Sequence, residues 1–292
     1  MSTYDHLVGA RSAAVAAPNQ YLEVPGRTLA YRAIGTGTGK PFVLATRFRG
    51  NMDKWDPAFL DALADSGLRV ITFDYSGLGL STGTATYNPI EMAGDIRDLI
   101  AGLGLQEVAI GGWSLGGLVA QSALALYPQG ITHVVLIGTG PAGPMVKEPE
   151  QIFYDVASKE INDADDNVVL FFEPASASSR AASTQSLARM ARRTSGLSRD
   201  IPIDFARAAL GTKPKNPVFP AEPILEALKR TSVPLLHIGG DHDISFPIEN
   251  WYALNQQFPT LQLITFPRAG HGPQHQHPRM SADIIASFLR NA

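Results

Sequence analysis

The chain has 292 residues, 45% hydrophobic and 17% charged, with a formal net charge of −3. That length allows one large domain or two small ones, and the charge, with no basic stripe or aromatic–basic interleaving, gives no footing for nucleic acid. Cysteine is absent, which removes disulfide frameworks and thiolate metal sites together. At the N-terminus, Met1–Ala10 has neither a basic leader nor a sustained apolar core, and Ala13–Ala17 is too short for a signal segment. No window approaches a transmembrane span. The cytoplasm is therefore the expected location, with no membrane partner.

Tyr21–Val24 and Arg27–Ala33 alternate around Pro25-Gly26, the signature of a β-hairpin. Gly35-Thr36-Gly37-Thr38-Gly39 is a flexible connection, lacking the lysine and the following helix of a phosphate loop. Val43–Ala45, Val70–Phe73, Val108–Ile110 and Val134–Ile137 are short apolar runs suited to parallel strands buried on both faces. Helical patterns at Phe59–Leu68, Ile90–Leu103 and Leu118–Leu126 separate them. This alternation predicts an α/β fold, a mostly parallel sheet flanked by helices. From Pro141 to Ser232 the rhythm breaks into helix-like segments (Glu150–Lys159, Ala181–Arg193 and Ile203–Leu210) parted by Pro- and Ser-bearing turns. Phe153-Tyr154 and Phe171-Phe172 there could line a pocket, although helical core is the preferred use. Strands resume at Leu235–Ile238 and Leu261–Phe266.

The richest motif lies between strand and helix. Gly112-Trp113-Ser114-Leu115-Gly116 fits Gly-x-Ser-x-Gly, with β-prone Val108–Ile110 before it and the Leu118–Leu126 helix after it. A serine on such a turn is forced outward, and the flanking glycines let the backbone crowd together. Its oxygen then faces a helix N-terminus, where free N–H groups favour developing negative charge. That combination suits a nucleophile attacking a carbonyl.

A base and an acid follow in the chain. His271 sits between Gly270 and Gly272 just past the last strand, with His275 and His277 nearby as weaker candidates. After the Leu235–Ile238 strand, Asp241 and Asp243 compete. The pattern Gly-x-x-Asp-x-x-x-Pro at Gly240, Asp243 and Pro247 favours Asp243, while Asp241 suits a turn former. The three histidines could share an ion with Asp241, but a glycine-bracketed loop is a poor frame for ligands, and no metal is expected.

The order Ser114, Asp243, His271 resembles that of the α/β-hydrolase superfamily. Phe73-Asp74-Tyr75-Ser76-Gly77-Leu78-Gly79-Leu80-Ser81 is similar to that family's Asp-x-x-Gly-x-Gly-x-Ser loop, and the Ser114 elbow to that of small carboxylesterases. The resemblance runs from about Tyr21 onward. It implies an α/β-hydrolase core (residues 1–140 and 233–292) with an inserted helical cap (141–232). It also implies an acyl-enzyme mechanism with Ser114 as nucleophile, His271 as general base and Asp243 orienting it. No cofactor is implied, and the expected partner is a small-molecule ester or lactone, with a homodimer allowed.

One departure stands out: Thr46-Arg47 occupies the place of the usual His-Gly pair. The oxyanion donors would then be the N–H groups of Leu115 and Phe48. Arg47 and Arg49 bring two guanidiniums to the predicted mouth. One could bind an anionic group of the substrate; pairing with Asp53, Asp56 or Asp74, which would only hold the loop, is the preferred reading. Arg47 and Trp113 are the candidate substrate-binding residues, with Trp113 and Phe48 expected to narrow the entrance. The same triad could serve a C–C bond hydrolase or a perhydrolase, and a ligand-sensing protein of this fold with little turnover is the rival of another class.

Overall fold

The computed structural model describes residues 12–212 and 221–291; the Met1–Ala10 segment read above lies outside them. In chain order the described elements are α1 (Ala13–Ala16), β1 (Gln20–Val24), β2 (Arg27–Ile34), β3 (Lys40–Ala45), α2 (Pro57–Asp65), β4 (Leu68–Phe73), α3 (Pro89–Gly102), β5 (Val108–Trp113), α4 (Leu115–Leu126) and β6 (Ile131–Ile137). Then come α5 (Gln151–Ala157), α6 (Ala164–Phe171), α7 (Ala177–Met190), α8 (Ile203–Leu210) and α9 (Glu222–Arg230). The chain closes with β7 (Leu235–Gly240), α10 (Glu249–Tyr252), β8 (Leu261–Phe266), α11 (Pro273–Gln276) and α12 (Pro278–Asn291).

The strands form one sheet in the order β1-β2-β4-β3-β5-β6-β7-β8. β1 and β2 form the hairpin, turning at Gly26 (φ +79°), and β2 pairs antiparallel with β4; the other pairings are parallel. β5 and β7 are buried along their whole length, as strands covered on both faces must be. Side-chain alternation splits the core in two. Val43, Ile71, Ile110 and Val134 face α3, α4 and α9, which contribute Met92, Ile96, Leu118, Ile224 and Leu228. Phe42, Leu44, Val70 and Ala109 face α2 and α12, which contribute Phe59, Leu63, Ile285 and Phe288.

Local chemistry sets the helix ends. Asp56 caps α2 by accepting from the Ala58 N–H, with Pro57 in the first turn; Asn88 and Pro89 do the same for α3. α2 stops at Asp65, short of the expected Leu68, because Gly67 turns the chain at φ +91° and Leu68 already pairs with Lys40.

Helices α5 to α8 fill the interval between β6 and β7, with a small cluster of their own around Val156, Ala157 and Leu170. α6 was missing from the sequence reading, although Asp163 and Asp166 form a capping box at its start. α9 also falls within residues 141–232 and packs beside α4. Its buried Ile224, Leu225 and Leu228 face the sheet side, and Ile224 and Leu228 join the main core beside α4. The amphipathic pattern of Ile224, Leu225 and Leu228 was the available signal.

Candidate active site

The site is assembled where β3, β5, β7 and β8 end. β5 gives way to α4 at Ser114, whose backbone stands at φ +60°, ψ −123°. A non-glycine residue there costs about 1–3 kcal/mol and persists only when its surroundings dictate it. They do so through two close approaches. A Cβ on Gly112 would lie 1.9 Å from the Gly116 carbonyl oxygen, and one on Gly116 would lie 2.1 Å from that of Ala45. The Ser114 N–H donates to the Ile137 carbonyl at 2.9 Å, tying the turn to β6. Nothing caps the start of α4 with a side chain, so its first N–H groups remain directed at the turn.

His271 and Asp243 meet across the loops after β8 and β7. The His271 Nδ1 donates to Asp243 Oδ2 at 2.7 Å, and both side chains are almost wholly buried. Asp243 Oδ1 accepts from the Ser245 and Phe246 N–H groups at 2.8 and 2.9 Å, which fixes the carboxylate plane. The imidazole lies between the rings of Phe171 and Phe246, at 6.1 and 5.8 Å with interplanar angles of 21° and 25°. Its backbone carbonyl accepts from Trp113 Nε1 at 2.8 Å. Asp241 instead accepts from the Ala269 N–H at 3.1 Å and holds the loop.

Ser114 and His271 border one cavity of about 760 Å³ beneath α5, α6 and α7. Ser114 also borders a second recess of about 130 Å³, lined by Tyr87, Leu118, Phe153, Tyr154 and Phe246 among others. Phe48 and Phe153 stand between the two. Phe153, Tyr154 and Phe171 thus line cavities rather than serving only as helical core, whereas Phe172 is buried as expected. Trp113 does not narrow the entrance. It is 1% exposed, packed against Trp55, Phe171 and His275 behind the cavity wall, where it supports His271.

The loop after β3 carries the departure from the family pattern. The Tyr75 hydroxyl donates to the Thr46 carbonyl at 2.9 Å, and the Tyr87 hydroxyl accepts from the Arg49 N–H at 3.1 Å. Burial raises the pKa of both phenols, that of Tyr87 to about 12, so they stay neutral. The Phe48 N–H donates to no backbone carbonyl among the described residues, and its ring rests on Tyr87 at 4.9 Å.

The expected pairing of Arg47 and Arg49 with nearby aspartates is corrected. Asp53 binds Arg32, at 2.6 Å, and Arg193; Asp56 binds Arg189 at 2.6 Å; Asp74 accepts from the Met52 and Leu80 N–H groups and from the Ser198 hydroxyl. Arg49 donates to the carbonyls of Ala157, the last residue of α5, and of Lys159 and Glu160 just beyond it, at 2.8, 2.7 and 3.0 Å. Arg47 lines the large cavity; its Nη1 donates to the Phe48 carbonyl at 2.8 Å, and its guanidinium lies over the Phe171 and Trp113 rings at 4.5 and 5.3 Å.

The other histidines are employed elsewhere. His275 packs on Trp113 beside the Ser186 hydroxyl, and burial lowers its pKa to about 4. His277 stacks on Phe266. His242, unremarked in the sequence, contacts both Glu173 and Glu150 and so joins the Asp243 loop to the segments flanking α5 and α6. No described helix is long and apolar enough to cross a membrane.

A family model described as the alpha/beta hydrolase fold matches residues 40–278. An uncharacterized protein of Mycobacterium tuberculosis is 27% identical over 283 residues, covering 92% of this chain and 80% of its own length. A proposed 2-succinyl-6-hydroxy-2,4-cyclohexadiene-1-carboxylate synthase of Bacillus subtilis is 27% identical over 268 residues, with 87% and 92% covered. Among solved structures, an alpha/beta hydrolase fold protein from Chitinophaga pinensis superposes with a TM-score of 0.80 at 26% identity, covering 96% of this chain and 99% of that one. An esterase from Exiguobacterium antarcticum gives 0.71 at 18% identity, with 94% and 100% covered, a likeness of fold. The eight-stranded sheet, the order of its strands and the matched span agree: the chain belongs to the α/β-hydrolase fold family.

Proposed function

We propose that this chain is a serine hydrolase that cleaves a carboxylic ester or lactone of a small molecule through an acyl-enzyme. Ser114 Oγ attacks the carbonyl while His271 Nε2 takes its proton. Asp243, at Nδ1, holds the imidazole in the tautomer that leaves Nε2 free to accept and stabilises the imidazolium. The N–H groups of Leu115 and Phe48 receive the oxyanion, each worth about 10²–10³ in rate. His271 returns the proton to the leaving alkoxide. Water then repeats the sequence, giving up its proton to His271 as it attacks the acyl carbonyl and releasing Ser114.

The observation that carries this reading is the strained Ser114 backbone at the edge of the cavity bordered by a His271 already bonded to Asp243. The two recesses that meet at Ser114 add support, since acyl and alcohol groups leave a tetrahedral carbon in different directions. The test is labelling by a fluorophosphonate, comparing wild type with Ser114→Ala and His271→Ala, followed by a panel of esters and lactones. Labelling of wild type and its loss in Ser114→Ala are expected. A folded wild type that takes up no probe and cleaves no ester would overturn the reading.

A further inference from the structure

The large cavity has a charge that the mechanism above does not use. Arg47 lines it, yet no carboxylate among the described residues lies within ion-pair distance. Its Nε is enclosed and has no hydrogen-bond partner, and the only bond its guanidinium makes among the described residues is from Nη1 to the Phe48 carbonyl. An enclosed cation without an acid is costly to the fold unless something supplies the missing charge. The aromatic faces of Phe171 and Trp113 offset part of that cost but leave the edge donors of the guanidinium unanswered.

The other cations around the cavity are committed. Arg193 pairs with Asp53 and donates to the carbonyls of Val15 and Ala17, Arg49 holds the carbonyls past α5, and Lys54 meets Asp200. Of the acids around the cavity, Asp53 is paired with arginines, and Glu160, Asp163 and Asp200 stand exposed. Phe171, over which the Arg47 guanidinium lies, together with Leu170, Leu187 and Ile201, gives the cavity apolar wall.

We propose that the substrate carries a carboxylate and that Arg47 binds it within the large cavity, leaving the scissile ester at Ser114. The inference rests on the ester-hydrolase reading and names its substrate class. One guanidinium with several free donors matches a planar monoanion, which it can bind through two parallel hydrogen bonds. A phosphate dianion would bring a second charge for which this apolar part of the cavity has no partner. Burial and the neighbouring Arg49 charge lower the Arg47 pKa to about 10, which still leaves the side chain charged at neutral pH.

The experiment compares hydrolysis of the methyl monoesters of succinate, glutarate and adipate with that of the corresponding dimethyl esters. For wild type, kcat/KM should favour at least one monoester over its diester. In Arg47→Met, which keeps apolar bulk over Phe171, that ratio should fall by about tenfold or more, mainly through KM. Arg47→Lys, a point charge without the fork, should fall between them. A wild type indifferent to the free carboxylate overturns the proposal whether or not any variant folds, and so does a folded Arg47→Met whose ratio stays within about twofold of wild type. Titration calorimetry of the preferred monoester into Ser114→Ala, with and without Arg47→Met, separates this inference from the catalytic one. Arg47-dependent binding by a chain whose wild type cleaves no ester would sink the hydrolase reading and retain the carboxylate site. Cleavage of diesters with no Arg47-dependent binding would do the reverse.

Discussion

Asp243→Asn changes one atom and should nearly abolish turnover. Asp243 Oδ1 accepts two backbone N–H groups, from Ser245 at 2.8 Å and Phe246 at 2.9 Å, while Oδ2 faces His271 Nδ1 at 2.7 Å. An asparagine amide has two orientations in that frame. With its oxygen toward the backbone it keeps both N–H bonds and presents its NH₂ to Nδ1. With its NH₂ toward the backbone it sets donors against donors and loses two buried bonds, at about 1–3 kcal/mol each. The first orientation wins. A donor at Nδ1 forces the imidazole proton onto Nε2, and a protonated Nε2 cannot accept from Ser114. The expected loss in kcat is about 10⁴, with the fold retained because the loop bonds survive. Release of p-nitrophenol from p-nitrophenyl acetate, followed in the pre-steady state, measures it, and near-ultraviolet circular dichroism checks folding. Asp241→Asn is the control: its carboxylate holds only the Ala269 N–H, and the rate should stay within about threefold of wild type, as surface changes do. A folded Asp243→Asn that keeps more than about a tenth of the wild-type rate refutes the tautomer argument.

Gly116→Ala would drive a Cβ to 2.1 Å from the Ala45 carbonyl oxygen and 2.7 Å from that of Thr46. The strand end carrying Phe48 must move, so kcat should drop by about 10²-fold or more, with a stability loss of about 1–3 kcal/mol by thermal melting. Arg49→Met removes the bonds to the carbonyls past α5. It should cost about 1–2 kcal/mol and speed amide hydrogen exchange across residues 157–162, while unchanged exchange there would break the link between this loop and the segment after α5. His242 is partly buried, which lowers its pKa, but the bonds and charges of Glu173 and Glu150 outweigh this and raise it above the ordinary 6.5. Its stabilisation is then complete below about pH 6.5 and lost as pH rises through the folded-state value. The melting-temperature advantage of wild type over His242→Gln should shrink on that rise, and a gap independent of pH would deny the contact its charge.

Much of this fold is written in short-range pattern. The apolar runs of β3 to β6 announce strands covered on both faces, and the helical pattern Ile203–Leu210 has the bounds of α8. The glycines around Ser114 could be recognised because each answers a contact within a few residues or with the neighbouring strand end. The interval between β6 and β7 is less legible. α6 is short and begins in the acidic run Asp163–Asp166, which reads as loop until its capping box closes. The place of α9 in the chain groups it with the helices before it, while its buried Ile224 and Leu228 join the main core. Trp113 differs from expectation for a related reason: an aromatic beside a nucleophile suggests a pocket wall, but its ring is buried among Trp55, Phe171 and His275, and its Nε1 donates to the His271 carbonyl.

The arginines of the β3 loop show where local reading ends. Asp53, Asp56 and Asp74 lie within thirty positions of Arg47, and pairing with them was the economical expectation. Each is claimed from far along the chain, by Arg193, Arg189 and Ser198, all of them in or just after α7. Those contacts tie α7 and the segment after it to Asp53, Asp56 and Asp74 and, with Arg32 also on Asp53, leave no local acid for Arg47. Without Arg189, the Asp56 carboxylate would lose the guanidinium paired with it among the described residues. The unopposed charge at the cavity is tied to contacts made elsewhere in the chain: Arg32, Arg189, Arg193 and Ser198 take up the nearby acids, and the guanidinium left over lines the cavity. A single substitution, Arg189→Met, frees the Asp56 carboxylate at the start of α2. It should weaken the preference for carboxylate-bearing esters without replacing a residue that lines the cavity, and an unchanged preference would separate the anchoring of α7 from the charge of the cavity.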